Sequence, residues 1–467
     1  MLRNVAVIQR KTIGFALTIA GFLAIAALTL TPNPGGARPS ASLCLVCGSY
    51  GGTDVVLNIL LFIPFGFGMR LSGLRPRRAF VIAALTSLAI ELLQIHVVVG
   101  RDASLGDLVS NSLGGAIGIG LASCWRSWLL PNARVARRLM SAGLALWLLI
   151  LAGSAWGARP SLTRLTYVGH WASLTGPGPL FTGKVIDVSV GHAPLPWNVI
   201  ANSGDLRRWL LAGSPLRATV TLGSPIDGLV PITRITDISR TEIIMLGQQG
   251  RDLVFRMRTH ASDLRLRDPA VRIENAFPSA TADAQAPLAQ PDTLRIAGGY
   301  TGRSYRVSVI GPRMAASREI RLSPGLGWSF FLPFSYASGR VTVWLTALWL
   351  GGLLLPIGFW AARAADKPRR RVRGARGTPP AALYAAVIAA AAVSIAIGLG
   401  LVPLIFGELP VQWWAWVACA AGAIAGAAFG HLTLAAEDRG SSRGATSGEP
   451  RVTADELQAN GGPRMNA

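Results

Sequence analysis

Long apolar runs divide this sequence into parts suited to lipid and parts suited to water. A helix of about 20 residues crosses the hydrocarbon core of a bilayer, because it rises about 1.5 Å per residue. Lipid offers no partners to free backbone N–H and C=O groups, so such runs must be helical. We predict eight transmembrane helices, at residues 13–30, 55–71, 79–99, 108–128, 139–156, 341–362, 381–406 and 411–434.

A different pattern fills the stretch from residue 157 to residue 332. Its apolar runs are short, and apolar residues alternate with polar ones, as a strand with one buried face requires. Tyr305, Val307 and Val309 show the alternation most clearly. The pattern predicts an antiparallel sandwich or jelly roll, with strands at 184–190, 217–222, 242–246, 253–258, 263–266, 292–297, 305–309 and 328–332.

The charged residues predict the orientation of the chain in the membrane. The formal net charge is +22, but the arginines gather in every second loop instead of on one solvated face. We therefore expect no nucleic acid as a partner. The positive-inside rule places the N- and C-termini in the cytoplasm of a bacterium and the β domain outside, with the helices in the inner (cytoplasmic) membrane. The basic clusters are Arg3, Arg10 and Lys11; Arg70, Arg75, Arg77 and Arg78; Arg126, Arg134, Arg137 and Arg138; and Arg363, Lys367, Arg369, Arg370, Arg371, Arg373 and Arg376.

The predicted fold is a membrane all-α bundle of about eight helices with an extracytoplasmic all-β insert. Half of the residues are hydrophobic and 15% are charged, which is not the composition of a soluble enzyme. The expected domains are a transmembrane bundle at 1–156, the sandwich at 157–332, C-terminal transmembrane helices at 333–434 and a disordered cytoplasmic tail at 435–467.

Two of the four cysteines lie close together in the first external loop. Cys44 and Cys47 are separated by two residues, which in an oxidising compartment suits a short-loop disulfide. A free pair and a redox motif remain alternatives, although no βαβ pattern supports a redox fold. Two thiols are too few for a closed zinc site, and the five histidines show no metal-ligand spacing. We expect no metal and no cofactor.

Polar side chains recur near one end of the second, third and fourth predicted helices. Ionisable and amide groups inside membrane helices are costly, so each requires a partner or a function. Topology places these groups at one depth, near the external membrane surface, and Ser104 is placed to cap the fourth helix. Glycines at 114, 115, 118 and 120 would let that helix approach its neighbours closely. The candidate site residues are Asp54, Asn58, Glu91, Gln94, Arg101, Asp107 and Asn111.

Several roles remain open for this polar cluster. It is either a buried network that fixes the helix register, with Arg101 neutralising Glu91 or Asp107, or a ligand site. As a site it would bind a polar envelope ligand, with Arg101 on an anionic group, or would use Glu91 or Asp107 as acid or base. Transport is a further alternative, although no inverted repeat favours it.

The same stretch resembles the VanZ family of membrane proteins. The resemblance rests on Asp54 and Asn58, on residues 62–66 (FIPFG), on 91–94 (ELLQ), on 100–107 (GRDASLGD) and on 111–115 (NSLGG). It covers residues 13–130 and implies a cell-envelope context linked to low-level resistance to glycopeptide antibiotics such as teicoplanin. The β insert and the additional helices go beyond a minimal VanZ-like domain.

The insert resembles the laminin G-like and concanavalin A-like fold, on residues 246–248 and 252–256 and on the strand within 302–310. This resemblance covers 162–332 and implies binding of glycan or protein. A rigid spacer is the alternative, since no calcium-ligand or paired-carboxylate spacing is present. We expect the chain to bind a membrane lipid or lipid-linked envelope precursor, and an extracytoplasmic glycan. The alternative is a membrane enzyme that modifies a lipid-linked intermediate through Glu91, Arg101 and Asp107.

Overall fold

The computed structural model describes residues 2–32, 41–101, 103–172, 180–277, 293–332, 339–365 and 381–446. The helices of these ranges are typical of a multi-pass membrane protein. Six of them are long and apolar enough to cross a bilayer: Gln9–Thr29, Gly51–Leu71, Pro76–His96, Ala133–Gly157, Arg340–Ala365 and Trp413–Glu437.

Four helices form an N-terminal bundle: α1 (Leu2–Thr29), α2 (Gly51–Leu71), α3 (Pro76–His96) and α4 (Leu105–Ser123). Helix α2 packs against α1 and α4, and α4 also packs against α3. The α2–α4 contact is a backbone contact, because a Cβ atom at Gly114 would collide with the carbonyl of Ile59 and one at Gly118 with the carbonyl of Ile63. Close approach through these glycines was predicted, but Gly120 faces open space.

Two of the eight predicted transmembrane spans are not among the six helices that are long and apolar enough to cross a bilayer. The predicted span at 108–128 is divided into α4 and the short α5 (Trp125–Leu129), and polar residues in the first half of α4 reduce its hydropathy. Of the predicted span at 381–406, the apolar helix found among the described residues is Ala391–Ile405, which includes a π-helical turn at Ile397–Leu401 and is shorter than the six. The count of eight spans stays a prediction.

Helix α6 (Ala133–Gly157) leads from the first bundle into the β domain. This domain consists of two six-stranded sheets with antiparallel pairing, together with the helices α7 (Ser203–Leu211) and α8 (His260–Asp263). Two further strands, β1 (Ala41–Ser42) and β2 (Ala103–Ser104), pair in parallel beside the first bundle. The strands of the domain are β3 (Tyr167–Trp171), β4 (Val185–Val190), β5 (Ala193–Pro194), β6 (Val199–Ile200), β7 (Leu216–Thr221), β8 (Ile226–Asp237), β9 (Glu242–Gly250), β10 (Asp252–Met257), β11 (Ala270–Ile273), β12 (Thr293–Tyr300), β13 (Ser304–Ile310) and β14 (Ala315–Arg321).

The two sheets share one hydrophobic core. The first has the order β11-β10-β9-β8-β3-β6 and the second the order β14-β13-β12-β7-β4-β5. Phe255 of the first sheet and Tyr305 of the second are both 1% exposed, and their ring centroids are 6.4 Å apart. The apolar face of each alternating strand is therefore buried against the other sheet.

Six of the eight predicted strands overlap observed ones, and two predictions were wrong. Residues 263–266 end α8 and form a turn, and Thr259 caps this helix by accepting a hydrogen bond from the N–H of Ala261. Residues 328–330 belong to a 3₁₀ helix, Pro324–Phe330, and residues 331–332 follow it. In this helix the indole N–H of Trp328 donates a hydrogen bond to Thr346. Over four or five residues, alternation cannot separate a strand from a short helical turn.

After the sandwich come α9 (Gly339–Ala365), α10 (Ala381–Ala396), the π-helical turn, α11 (Val402–Ile405) and α12 (Trp413–Thr446). Helix α9 packs against α6 and α12, so the chain segments before and after the sandwich meet in one second bundle. Helix α12 continues to Thr446, past the predicted domain boundary at 434. The remainder of the predicted tail lies outside the described residues.

The β domain is attached to the first turn of α2. Tyr50, at the N-cap position of α2, provides no side-chain cap. Instead, the carbonyl of Arg265 accepts hydrogen bonds from the N–H groups of Gly52 (3.1 Å) and Thr53 (3.3 Å). The Thr53 hydroxyl, fully buried, donates to the carbonyl of Phe330 at 2.7 Å. These contacts fix the domain above the end of the bundle that carries the candidate residues.

We expect Thr53→Val to lower the free energy of unfolding by about 1–3 kcal/mol, because it leaves the buried Phe330 carbonyl without a donor while keeping the side-chain volume. Chemical denaturation of the full chain in detergent measures this change. Thr293→Val, at an exposed strand position, is the matched control and should have little effect. Equal stability of the two variants would show that the contact does not hold the domain.

Candidate functional site

A short connection covers the end of the first bundle. In it Cys44 and Cys47 are joined by a disulfide, and the carbonyl of Cys44 accepts from the N–H of Gly106 at the start of α4 at 3.0 Å. Arg265 of the β domain donates to the carbonyl of Val46. The connection is thus tied to both the bundle and the β domain before it enters α2.

Beneath this connection lies a cavity of about 370 Å³, which we call the aspartate cavity. Two carboxylates line it, Asp54 from the first turn of α2 and Asp107 from the first turn of α4. Its roof contains Arg267 of the β domain, whose guanidinium lies 4.7 Å from the ring centroid of Tyr50. The remaining wall residues are Leu45, Cys47, Gly48, Ser49, Gly51, Val55, Ala103 and Ser104.

Asp107 is held in a defined position within this cavity. Asn58 Nδ2 donates to its Oδ1 at 2.6 Å, which joins α2 to α4. The Asp107 backbone N–H donates to Ser104 Oγ at 2.9 Å, so Ser104 caps α4 as predicted. Asp54 is exposed, and no hydrogen bond to its carboxylate is present within the described part of the chain. Its oxygens are therefore available to a ligand in the cavity.

Glu91 and Asn111 lie deeper in the bundle. Glu91 is 6% exposed and accepts a hydrogen bond from the backbone N–H of Ser104, a wall residue, at 3.0 Å. Asn111 is 2% exposed and donates to Ser87 Oγ of α3 at 3.0 Å. Its carbonyl oxygen is buried and has no partner among the described residues. Glu91 thus connects α3 to the residue before α4, and Asn111 connects α4 to α3. Both contacts are structural.

Gln94 and Arg101 act at the end of α1. Gln94 Nε2 donates to the carbonyl of Thr29 at 3.0 Å. Arg101 donates to the carbonyls of Leu28 (3.0 Å) and Thr31 (3.2 Å). The last carbonyls of a helix have no partner within it, so these donors satisfy them. The predicted pairing of Arg101 with Glu91 or Asp107 is not among the ion pairs of the described residues, and the neighbouring Asp102 lies outside those residues.

The cation over the aspartate cavity was missed from the sequence. Arg267 lies in the β domain, far along the chain from Asp107, and its Nε atom is buried without a hydrogen-bond partner in the described ranges. Nothing in the local sequence distinguishes it from the other arginines of that domain. Only the packing of the β domain on α2 brings it to the site.

A metal centre finds no support in the described ranges. They contain no group of three or more His, Cys, Asp or Glu residues that could hold a metal ion. The aspartate cavity instead combines two carboxylates, which accept hydrogen bonds from hydroxyl or ammonium groups, with one guanidinium, which binds anionic groups.

The VanZ/LLP1 family model matches residues 13–126. This segment includes all seven candidate residues, and the match confirms the predicted VanZ-like character of the first bundle. Comparison with curated proteins and with solved structures gave no match. The laminin G-like or concanavalin A-like character of the sandwich stays a prediction.

Because Arg101 satisfies helix-end carbonyls, we expect Arg101→Gln to lower the free energy of unfolding by about 0.5–1.5 kcal/mol. Chemical denaturation in detergent checks this, with Arg77→Gln, an exposed arginine in the first turn of α3, as the charge-matched control. A loss of bound lipid without any loss of stability would instead place Arg101 in a binding site.

Proposed function

We propose that this chain is a VanZ-like protein of the bacterial cytoplasmic membrane that binds the polar headgroup of a lipid or lipid-linked envelope precursor. The observation that carries the proposal is the aspartate cavity at the junction of bundle and β domain, with Asp54 and Asp107 below and Arg267 above. The carboxylates would accept hydrogen bonds from hydroxyl or amino groups of the headgroup, and Arg267 would bind an acidic group.

Charge supports an extracytoplasmic position for the β domain. The domain contacts the first residues of α2, whereas Arg75, Arg77 and Arg78 lie beyond its other end. By the positive-inside rule, the arginine-rich end is cytoplasmic, so the aspartate cavity opens near the external headgroups. An external precursor fits the envelope context implied by the VanZ resemblance. Tolerance of glycopeptide antibiotics is one physiological role consistent with it.

Binding is favoured over catalysis by the contacts of two proposed catalytic groups. Glu91 is held by the Ser104 amide, and Arg101 is held by carbonyls of the α1 end. A membrane enzyme remains the second candidate, now through Asp54 and Asp107, because both carboxylates line one cavity. In a strain lacking the protein, accumulation of an unmodified lipid-linked precursor would favour the enzyme, and unchanged precursor chemistry would favour binding.

We expect Asp54→Asn and Asp107→Asn to weaken retention of the polar lipid that copurifies with the full chain. Each substitution removes a charged hydrogen-bond acceptor. We therefore expect the affinity for the lipid headgroup to fall roughly 10- to 100-fold. Native mass spectrometry of the protein from mild detergent measures the occupied fraction, and thermal unfolding checks that the variants fold.

Asp227→Asn, an exposed substitution in β8, is the control and should retain lipid like the parent chain. Full lipid retention by folded Asp54→Asn and Asp107→Asn variants would exclude the aspartate cavity as the binding site.

We propose a second role for the β domain, the binding of an extracytoplasmic glycan. Trp197 is 58% exposed and lines a cavity of about 440 Å³ together with Trp171 and Phe181. Exposed aromatic rings present flat apolar faces with a polar edge, which suits the apolar face of a sugar ring. This role fits the lectin-like resemblance of the insert.

Trp197→Ala should weaken binding of the full chain to envelope polysaccharide by about 3- to 10-fold, the range of an aromatic contact. Binding to immobilised polysaccharide measures the effect. Trp209→Ala, which removes an exposed tryptophan of α7 outside this cavity, is the control. If the parent chain retains no polysaccharide, or if both variants lose it equally, the cavity is not a sugar site.

A further inference from the structure

A second cavity, of about 1110 Å³, lies in the β domain beside the aspartate cavity. We call it the arginine cleft. Five arginines line it, together with the carboxyl groups of Glu242 and Asp268, and its floor includes Gly48, Ser49 and Tyr50, which also line the aspartate cavity. The arginines are Arg234, Arg240, Arg256, Arg258 and Arg265.

Two of these arginines are neutralised by the protein itself. Arg256 donates to Glu242 Oε1 through Nε at 2.8 Å and through Nη2 at 2.6 Å. Arg258 Nη2 donates to Asp263 Oδ1 at 2.7 Å. These two guanidinium groups are structural, since their charge is balanced within the domain.

The other three arginines have no carboxylate partner in the described part of the chain. Arg265 donates only to the carbonyl of Val46. Arg234 and Arg240 make no side-chain hydrogen bond there, and Arg234 Nε is buried without a partner. A buried, unsatisfied guanidinium nitrogen is costly unless a ligand supplies the acceptor. The cleft therefore keeps three guanidinium charges that no carboxylate among the described residues balances.

The other titratable groups of the cleft do not balance this charge. Burial raises the pKa of Asp268, whose carboxylate accepts from Thr259 and Ser262. Burial and the charge of Arg234 lower the pKa of His170, which favours the neutral form of this side chain. Three unpaired guanidinium groups against one carboxyl leave an excess of about two positive charges.

The cleft lies beside the start of a helix that is long and apolar enough to cross a bilayer. Tyr50 immediately precedes the membrane-spanning α2 and accepts a hydrogen bond from Arg256 through its hydroxyl at 2.5 Å. Arg265, whose side chain lines the cleft, accepts hydrogen bonds through its carbonyl from the first turn of α2. A group anchored in the bilayer by its lipid chain can therefore reach the cleft at headgroup level.

We propose that the arginine cleft binds a phosphate or diphosphate group, through Arg234, Arg240 and Arg265. Guanidinium groups present paired donors that match the oxygen spacing of phosphate, and the excess charge matches that of a diphosphate diester. The phosphate belongs either to a membrane lipid headgroup or to a soluble phosphate compound. This site is separate from the aspartate cavity, so it does not require the proposed function to hold.

The test uses the full chain in detergent, titrated with pyrophosphate by calorimetry. Arg234→Gln and Arg240→Gln should each weaken binding about 10-fold or more, because each removes a charged hydrogen-bond donor. Arg303→Gln removes an equal charge from an exposed turn of the other sheet and should bind as the parent chain does. Thermal unfolding of each variant excludes loss of the fold.

A second arm identifies the source of the phosphate. Native mass spectrometry compares retention of phosphatidic acid with that of diacylglycerol, which has the same chains and no phosphate. Retention of phosphatidic acid that Arg234→Gln and Arg240→Gln reduce supports a lipid headgroup. Pyrophosphate binding without such retention supports a soluble phosphate.

Absence of saturable binding in both arms would overturn the proposal. So would an equal loss in Arg303→Gln, since the attraction would then be general charge and not a site. The aspartate-cavity variants are judged by retention of copurifying lipid, so either proposal can fail while the other stands.

Discussion

The hydrogen bonds between the Arg265 carbonyl and the first turn of α2 are the constraint on which the rest of the site depends. A helix begins with N–H groups that have no partner within it, and Tyr50 does not cap this one. The β domain supplies the acceptor, so the start of a membrane helix and a sandwich loop form one unit. Tyr50, just before this turn, contacts Arg256 and Arg267 of the β domain. Both proposed cavities share this small region.

The bundle and its polar residues could be predicted because a polar residue is easily recognised within a long apolar run. Asp54, Asn58 and Asp107 stand out in such runs, and the structure brings Asn58 and Asp107 into contact. The direction of each side chain could not be predicted, since depth along a helix does not determine which neighbour a side chain faces. Arg101 was therefore assigned to the wrong partners. Arg267 could not be found at all, because one arginine among many in a soluble-type domain carries no local signal.

The β domain shows a similar limit. Strands with clean alternation, such as β13, were found with nearly correct ends. Strand β8 was missed, because its pairing with β9 shifts register at three places and one shift follows Pro231, which interrupts the period of two. The domain does more than separate two helical bundles. It completes one cavity with Arg267 and forms a second one with arginines that its own carboxylates leave unpaired. The aspartate cavity is thus a composite, because the bundle supplies its two carboxylates and the β domain supplies its cation.

The glycine contacts between α2 and α4 have a mechanical consequence. Where two helices touch through their backbones at Gly114 and Gly118, they have little room to slide or to part. Asp54 and Asp107 lie in the first turns of these two helices. The distance between their carboxylates is therefore fixed by the packing of the helices. In the proposed binding role, ligands of different size would then be accommodated at the opposite wall, by the side chain of Arg267, which is not part of the helix packing. In that role the ends of the two helices would set the distance between the carboxylates, and the β domain would set the position of the cation.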